Sequence, residues 1–132
     1  MERMIKAMLL RKCKESLKDL VRSIESRGIR NVMLGPETMG RNVQLGTLSE
    51  VLEICEEIEK TQPVIDWSHL HARDMGRLKT RSDFRNVIEE IENRLGINAA
   101  RNKHCHFTKI EFTERGERRH HVLDDTRFGP DH

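Results

Sequence analysis

The stretch Val64-Ile65-Asp66-Trp67-Ser68-His69 delivers a carboxylate at the end of a short apolar run and an imidazole three residues later. An apolar Pro-Val-Ile run bounded by polar residues reads as a buried strand, which places Asp66 at its carboxyl end and His69 just beyond. Parallel sheets keep their chemistry at that end of the strands. Two further metal-competent side chains stand in the same situation: Glu37 after Val32-Met33-Leu34, and His106 after Asn102-Lys103-His104-Cys105. Asp, Glu and His are hard-to-borderline ligands, so three strand ends that each offer one of them point to a divalent metal site. If that is right, Glu37, Asp66 and His106 must converge on one end of a parallel sheet, within about 8 Å of one another for bonds of about 2.0–2.2 Å.

The elements that would position these groups can be read from periodicity. From Ile5 to Ile24, apolar residues at Met8, Leu9, Cys13, Leu17, Leu20 and Val21 alternate with Lys, Arg and Glu, the pattern of a one-faced helix stopping at Gly28. Asn31 to Leu34 reads as a short strand broken by Gly35-Pro36, and Thr38 to Gly46 as a loop. Thr47 and Glu50 make a capping box for a helix with Leu48, Val51, Leu52, Cys55 and Ile58 on one face. Pro63 to Asp66 is the second strand, and His69 to Arg81 a long polar loop. Ser82 is the expected N-cap of a third helix, with Phe84, Val87, Ile88, Ile91 and Leu95 on one face and Gly96 as its stop. The third strand, Lys103 to Phe107, alternates, so that His104 and His106 share one face while Cys105 and Phe107 take the other. Beyond it, Ile110 to Thr113 and His121 to Leu123 flank a turn at Gly116, and the residues from Asp124 to His132 carry no period.

Helix and strand in alternation are the grammar of a parallel α/β sheet, and the intervals from Glu37 to Asp66 to His106 each hold one helix and a crossover. Three or four such strands cannot close a barrel, so residues 1–132 read as a single partial-barrel domain. A hydrophobic content of 36% is low for a self-sufficient core, which leads us to expect self-association or a complementary barrel half. Lys and Arg (24) nearly balance Asp and Glu (22), so net charge does not by itself argue for nucleic acid. Three cysteines with no CxxC pair suit a reduced cytoplasm and read as small buried hydrophobes. No stretch approaches the roughly 18 apolar residues of a membrane span, so no membrane role is expected.

Four motifs in order resemble the endonuclease IV type of AP endonuclease, within the xylose-isomerase-like TIM barrels. Gly35-Pro-Glu-Thr-Met-Gly-Arg-Asn-Val-Gln-Leu-Gly46 is similar to the family's strand-5 segment, in which the Glu bridges two metals. Val64-Ile-Asp-Trp-Ser-His69 resembles strand 6, whose Asp and His bind neighbouring metals, and His104-Cys-His-Phe-Thr-Lys109 resembles strand 7, whose second His is a ligand. Arg119-His-His121 is similar to the Asp-Arg-His-His segment that follows, whose first His binds the third metal. The resemblance implies a partial TIM barrel of zinc-dependent phosphodiesterase type, with manganese as the other candidate ion, acting on DNA at abasic sites. It implies Glu37, Asp66, His69, His106 and His120 as metal ligands, with Glu37 and Asp66 catalytic. The family's Asp two residues before that first His, His120 here, stands as Arg118, which leaves Glu117 or Asp124 to substitute, and the early-strand His ligands and the strand-8 Glu have no counterpart.

Arg41, Arg73 and Lys109 lie in or beside the strand-end loops and are the expected phosphate contacts. His104 is expected to be structural. Two other functions stay open: a sugar isomerase or epimerase of the same barrel group, which would need one metal on Glu37, Asp66 and His106, and an inactive partial barrel serving as an interaction module. The pair His69 and His120 separates the first of these from the endonuclease, because a one-metal isomerase has no use for it.

Overall fold

The structure, a computed structural model, describes residues 1–131. The elements are helix α1 (Glu2–Ser26), helix α2 (Leu48–Glu57), strand β1 (Val64–Asp66), helix α3 (Trp67–Arg73), helix α4 (Arg81–Leu95), helix α5 (Ile97–Asn102), strand β2 (His104–His106), and strands β3 (Lys109–Thr113) and β4 (Gly116–His121). Leu10, Cys13, Leu17 and Val21, three or four residues apart, bring one stripe of α1 onto Ile54, Ile58 and Leu34. Lys14 crosses the same contact to Glu53 and Glu57. Burial opposes its charge, yet the two carboxylates outweigh burial and hold the ammonium above its ordinary pKa. The capping box of α2 forms as its sequence requires: the Glu50 N–H donates to Thr47 Oγ1 (3.1 Å), and the Thr47 N–H donates to Glu50 Oε2 (2.9 Å).

β1 and β2 pair in parallel with Asp66 opposite His106 and Val64 opposite His104. The expected strand over Asn31 to Leu34 is displaced toward its C-terminus. Parallel pairing to the β1 segment begins at Leu34 and continues past Pro36 to Thr38, as bonds from Val64 N–H to Pro36 O (2.8 Å) and from Thr38 N–H to Val64 O (3.1 Å) show. Gly35 permits this, because a Cβ there would collide with the Val64 side chain. Three parallel segments thus lie side by side, with Glu37 and Asp66 at the ends of the first two. Helices connect these parallel segments as in a partial TIM barrel, an α/β arrangement, before the chain ends in the β3–β4 hairpin.

Four other expectations are corrected. The segment from His69 to Arg81 is not all loop: Trp67 to Arg73 is helical, capped by Asp66, whose Oδ1 accepts from the His69 N–H at 3.0 Å. Trp67, Leu70 and Ala72 bury themselves, and so do Ser68, His69, His71 and Arg73, so an apolar stripe does not announce this helix. The N-cap of α4 is Thr80 rather than Ser82, because Thr80 makes a capping box with Asp83. The hairpin's second arm is Gly116 to His121 rather than His121 to Leu123. Cys105 is exposed rather than buried, since β2 forms the edge of its sheet.

The core gathers Leu48, Leu52, Ile65, Leu70, Leu78, Val87 and Ile91 between sheet and helices, with Trp67 and Phe84 in contact at 5.3 Å between ring centroids. The aperiodic tail folds back: Ile110 N–H donates to Gly129 O (2.7 Å), and Pro130 is buried. His132, the last residue of that tail, lies outside the described residues. Among the described residues, no helix is long and apolar enough to cross a membrane.

Candidate metal centre

Parallel register brings the three strand ends together. His106 Nδ1 lies 2.8 Å from Glu37 Oε1 and 3.9 Å from Asp66 Oδ2. One ligand atom from each of the three can be chosen so that all lie within 4.8 Å of one another. Ligands of a tetrahedral ion with bonds near 2.1 Å stand about 3.4 Å apart, so this grouping is of the right size without rearrangement of the backbone. With Nδ1 of His106 turned toward two carboxylates, its Nε2 faces Nε2 of His104 at 3.1 Å, the two rings perpendicular. His104 therefore orients His106 from behind, which is the structural part its position on the same strand face suggests.

His69 and His120 form a second grouping beside the first. Their Nε2 atoms are 3.1 Å apart. The Nδ1 of His69 is 2.7 Å from the carbonyl oxygen of Thr38, which can only accept, so Nδ1 carries a proton and Nε2 is the nitrogen turned toward His120. His120 Nδ1 meets Thr108 Oγ1 at 2.7 Å, and Thr108 is in turn tied to Ser68 by Ser68 Oγ–H to Thr108 O (2.8 Å) and Thr108 N–H to Ser68 Oγ (2.9 Å). Two imidazoles held through Nδ1 and facing each other through Nε2 are in the posture of metal ligands whose outer nitrogens are anchored by the protein. Asp66, shared with the first group, also stands within 4.8 Å of this pair.

Thr38 is the organiser that sequence reasoning missed. It is fully buried, accepts the Asp66 N–H at Oγ1 (2.9 Å), donates weakly to Asp66 O (3.3 Å) and uses its own carbonyl for His69. One residue thus sets Asp66 and His69 together. Its signal was its place directly after Glu37 at a strand end, where a hydroxyl can replace ladder bonds that a twisted edge leaves open.

A family model described as xylose isomerase-like TIM barrel matches residues 6–130. This chain belongs to that family. The family takes in AP endonucleases and sugar isomerases. An uncharacterized protein of Methanocaldococcus jannaschii is 35% identical over 123 residues, which cover 93% of this chain and 44% of the relative. The chain therefore spans less than half the length of that relative. No solved structure matches it.

Of the three basic residues expected on DNA, the xylose isomerase-like scaffold leaves one at the surface. Arg41 is exposed beside the site, 4.0 Å from Glu117. Arg73 is instead buried, and its guanidinium donates to the carbonyls of Met39 (2.9 Å), Arg41 (3.0 Å), Asn42 (3.3 Å) and Gln44 (2.8 Å). Burial lowers its pKa, with Glu50 opposing that shift. Its donors staple the loop that carries Arg41 and are not free for phosphate. Lys109 is likewise buried and paired with Asp131. His121 turns away from the centre to Glu111, Asp125 and the ring of Phe128.

The residues present fit a divalent cation. Each grouping combines nitrogen and oxygen donors of the kind zinc and manganese accept, and Glu117 Oε2 is buried beside the second with no hydrogen-bond donor.

Proposed function

We propose that this chain contributes a multi-metal centre for phosphodiester hydrolysis at abasic sites in DNA, in the manner of the endonuclease IV type of AP endonuclease. The observation that carries the reading is the pairing of His69 and His120 through Nε2, next to but separate from the Glu37, Asp66 and His106 group. A one-metal isomerase would use the latter group alone. Clustered divalent ions, zinc first and manganese as the alternative, neutralise charge on a phosphate and lower the pKa of water.

The chain's own residues supply the framework. Glu37 and Asp66 offer the carboxylates, His106 joins them with His104 behind it, and His69 and His120 are held by Thr38 and Thr108. A carboxylate can serve two cations where imidazole serves one, so Glu37 and Asp66 are the groups that could join neighbouring ions. Arg41 is the exposed cation placed to meet a backbone phosphate, a contact that orients DNA rather than reacts. The parallel segments expose β2 along an open edge, and we propose that a further barrel segment, from another chain or a second copy, completes the wall and the ligand set.

A second reading is favoured by the completeness of the Glu37, Asp66 and His106 group: a single-metal sugar isomerase of the same family. A nicking assay on abasic duplex, with and without Zn2+ or Mn2+ and with metal analysis of the same protein, separates the two. The phosphodiesterase reading expects weak, chelator-sensitive nicking by the lone chain, strengthened by a polypeptide that supplies the other strands and abolished by Glu37→Gln. Ketose turnover without nicking would transfer the site to the isomerase class, and a protein that takes up no divalent ion would end both readings.

A further inference from the structure

We infer that Glu117 is the third ligand of the His69 and His120 pair, placed there by a β-bulge at Arg118; this rests on the metal-centre reading above. In an unbroken strand alternate residues share a face, so the companion of His120 would be Arg118, and Glu117 would point away. The hairpin register breaks that rule. Ile110 pairs with His120 and Glu111 with Arg119, but Phe112 pairs with Glu117, so Arg118 is passed over as the extra residue. A bulge of one residue inverts the alternation beyond it. Arg118 accordingly reaches Glu111 Oε1 at 2.7 Å, whereas Glu117 arrives on the face that holds His120.

Its carboxylate then lies beside Nε2 of His69. Glu117 Oε2 is 3.1 Å from His69 Nε2, the same atom that stands 3.1 Å from His120 Nε2. That oxygen is buried and receives no hydrogen bond, a costly condition for a carboxylate unless a cation satisfies it. The neighbouring loop is shaped around it: a Cβ at Gly40 would overlap the Glu117 side chain, while Gly40 O accepts the Glu117 N–H at 2.9 Å. Asp66 also stands within 4.8 Å of the pair, but its oxygens are differently engaged. One of its oxygens caps α3, and the other approaches His69 from the Nδ1 side (3.6 Å), the nitrogen already engaged by Thr38. Glu117 faces the other nitrogen, Nε2. The result is a Glu and two His on one side and Glu37, Asp66 and His106 on the other, each a three-residue set.

The test is a Zn2+ titration of the full chain followed through the ring 15N signals of His69, His106 and His120, in wild type and in Glu117→Gln. The inference expects the His69 and His120 signals of the variant to respond only at Zn2+ concentrations at least tenfold higher, the low end of what losing even an outer partner of a ligand costs, with His106 unchanged. Gly40→Ala, which displaces the same carboxylate without removing it, is expected to weaken the pair likewise and serves if Glu117→Gln does not fold. Unaltered responses of all three rings in a folded variant would overturn the Glu117 assignment and leave the metal-centre reading standing. Absence of any ring response to Zn2+ in wild type would overturn that reading and this inference with it.

Discussion

Thr38→Val removes one hydroxyl and keeps the shape of the side chain, so it isolates the bonds that hold Asp66. The residue is fully buried, and its Oγ1 accepts the Asp66 N–H at 2.9 Å and donates to Asp66 O at 3.3 Å. Valine cannot accept, which strands the Asp66 N–H at a buried position. An unsatisfied buried backbone donor costs about 1–3 kcal/mol, and the longer second bond adds little. With about 4 °C of melting temperature per kcal/mol for a chain of this size, Thr38→Val should lower Tm by roughly 4–12 °C. Because Asp66 also caps α3 and so fixes His69, the variant should bind Zn2+ about 10–100-fold more weakly, the range seen when a ligand's support is lost. Differential scanning calorimetry without metal and isothermal titration with Zn2+ give the two numbers. A Tm within about 1 °C of wild type together with unchanged affinity would refute the claim that Thr38 organises the site.

Three further outcomes follow from the same geometry. Glu37→Gln should weaken Zn2+ binding far more than His104→Asn, because the first removes a charged ligand and the second an orienting partner; equal losses by calorimetric titration would argue against the assignment of His104. Arg73→Met should destabilise the chain by at least about 3 kcal/mol in urea unfolding, since four carbonyls of the 39–44 loop lose charge-assisted donors, and a loss below about 1 kcal/mol would show that water replaces them. Burial pushes the Glu50 carboxyl up, but bonds from the Thr47 and Gly46 N–H groups and the Thr47 hydroxyl outweigh it, so its folded pKa lies below the unfolded value of about 4.3. The native state binds fewer protons there, so this stabilisation is complete above about pH 4.3 and is lost as pH falls through the folded value; Glu50→Gln should flatten that part of the acid-unfolding curve, and parallel curves would contradict it.

The candidate ligands were legible because they sit where strands end. Asp66, His106 and Glu37 could be placed from short apolar runs and the breaks after them, and the resemblance supplied His69 and His120. The capping box at Thr47 and the stop at Gly96 are local signals, decided within four residues. What escaped the sequence depends on partners far along the chain. Helix α3 buries polar residues as well as apolar ones, so its stripe is invisible until Thr38 and the hairpin are in place. Arg73 and Lys109 look like surface cations by type, and only the carbonyls of the 39–44 loop and Asp131 reveal them as internal. Glu117 was one of two possible substitutes for the missing acid; the choice required the register of β3 and β4, because a bulge reverses the face that simple alternation assigns.

The measurement that tests the metal centre most directly is anomalous scattering at the zinc edge from crystals of the full chain grown with Zn2+. The account expects one peak bonded at about 2.0–2.2 Å to Glu37, Asp66 and His106, and a second at the same distance from His69 and His120. Zinc found only at His104, at His121 or at crystal contacts, with the His69 and His120 nitrogens still facing each other and no ion between them, would contradict it.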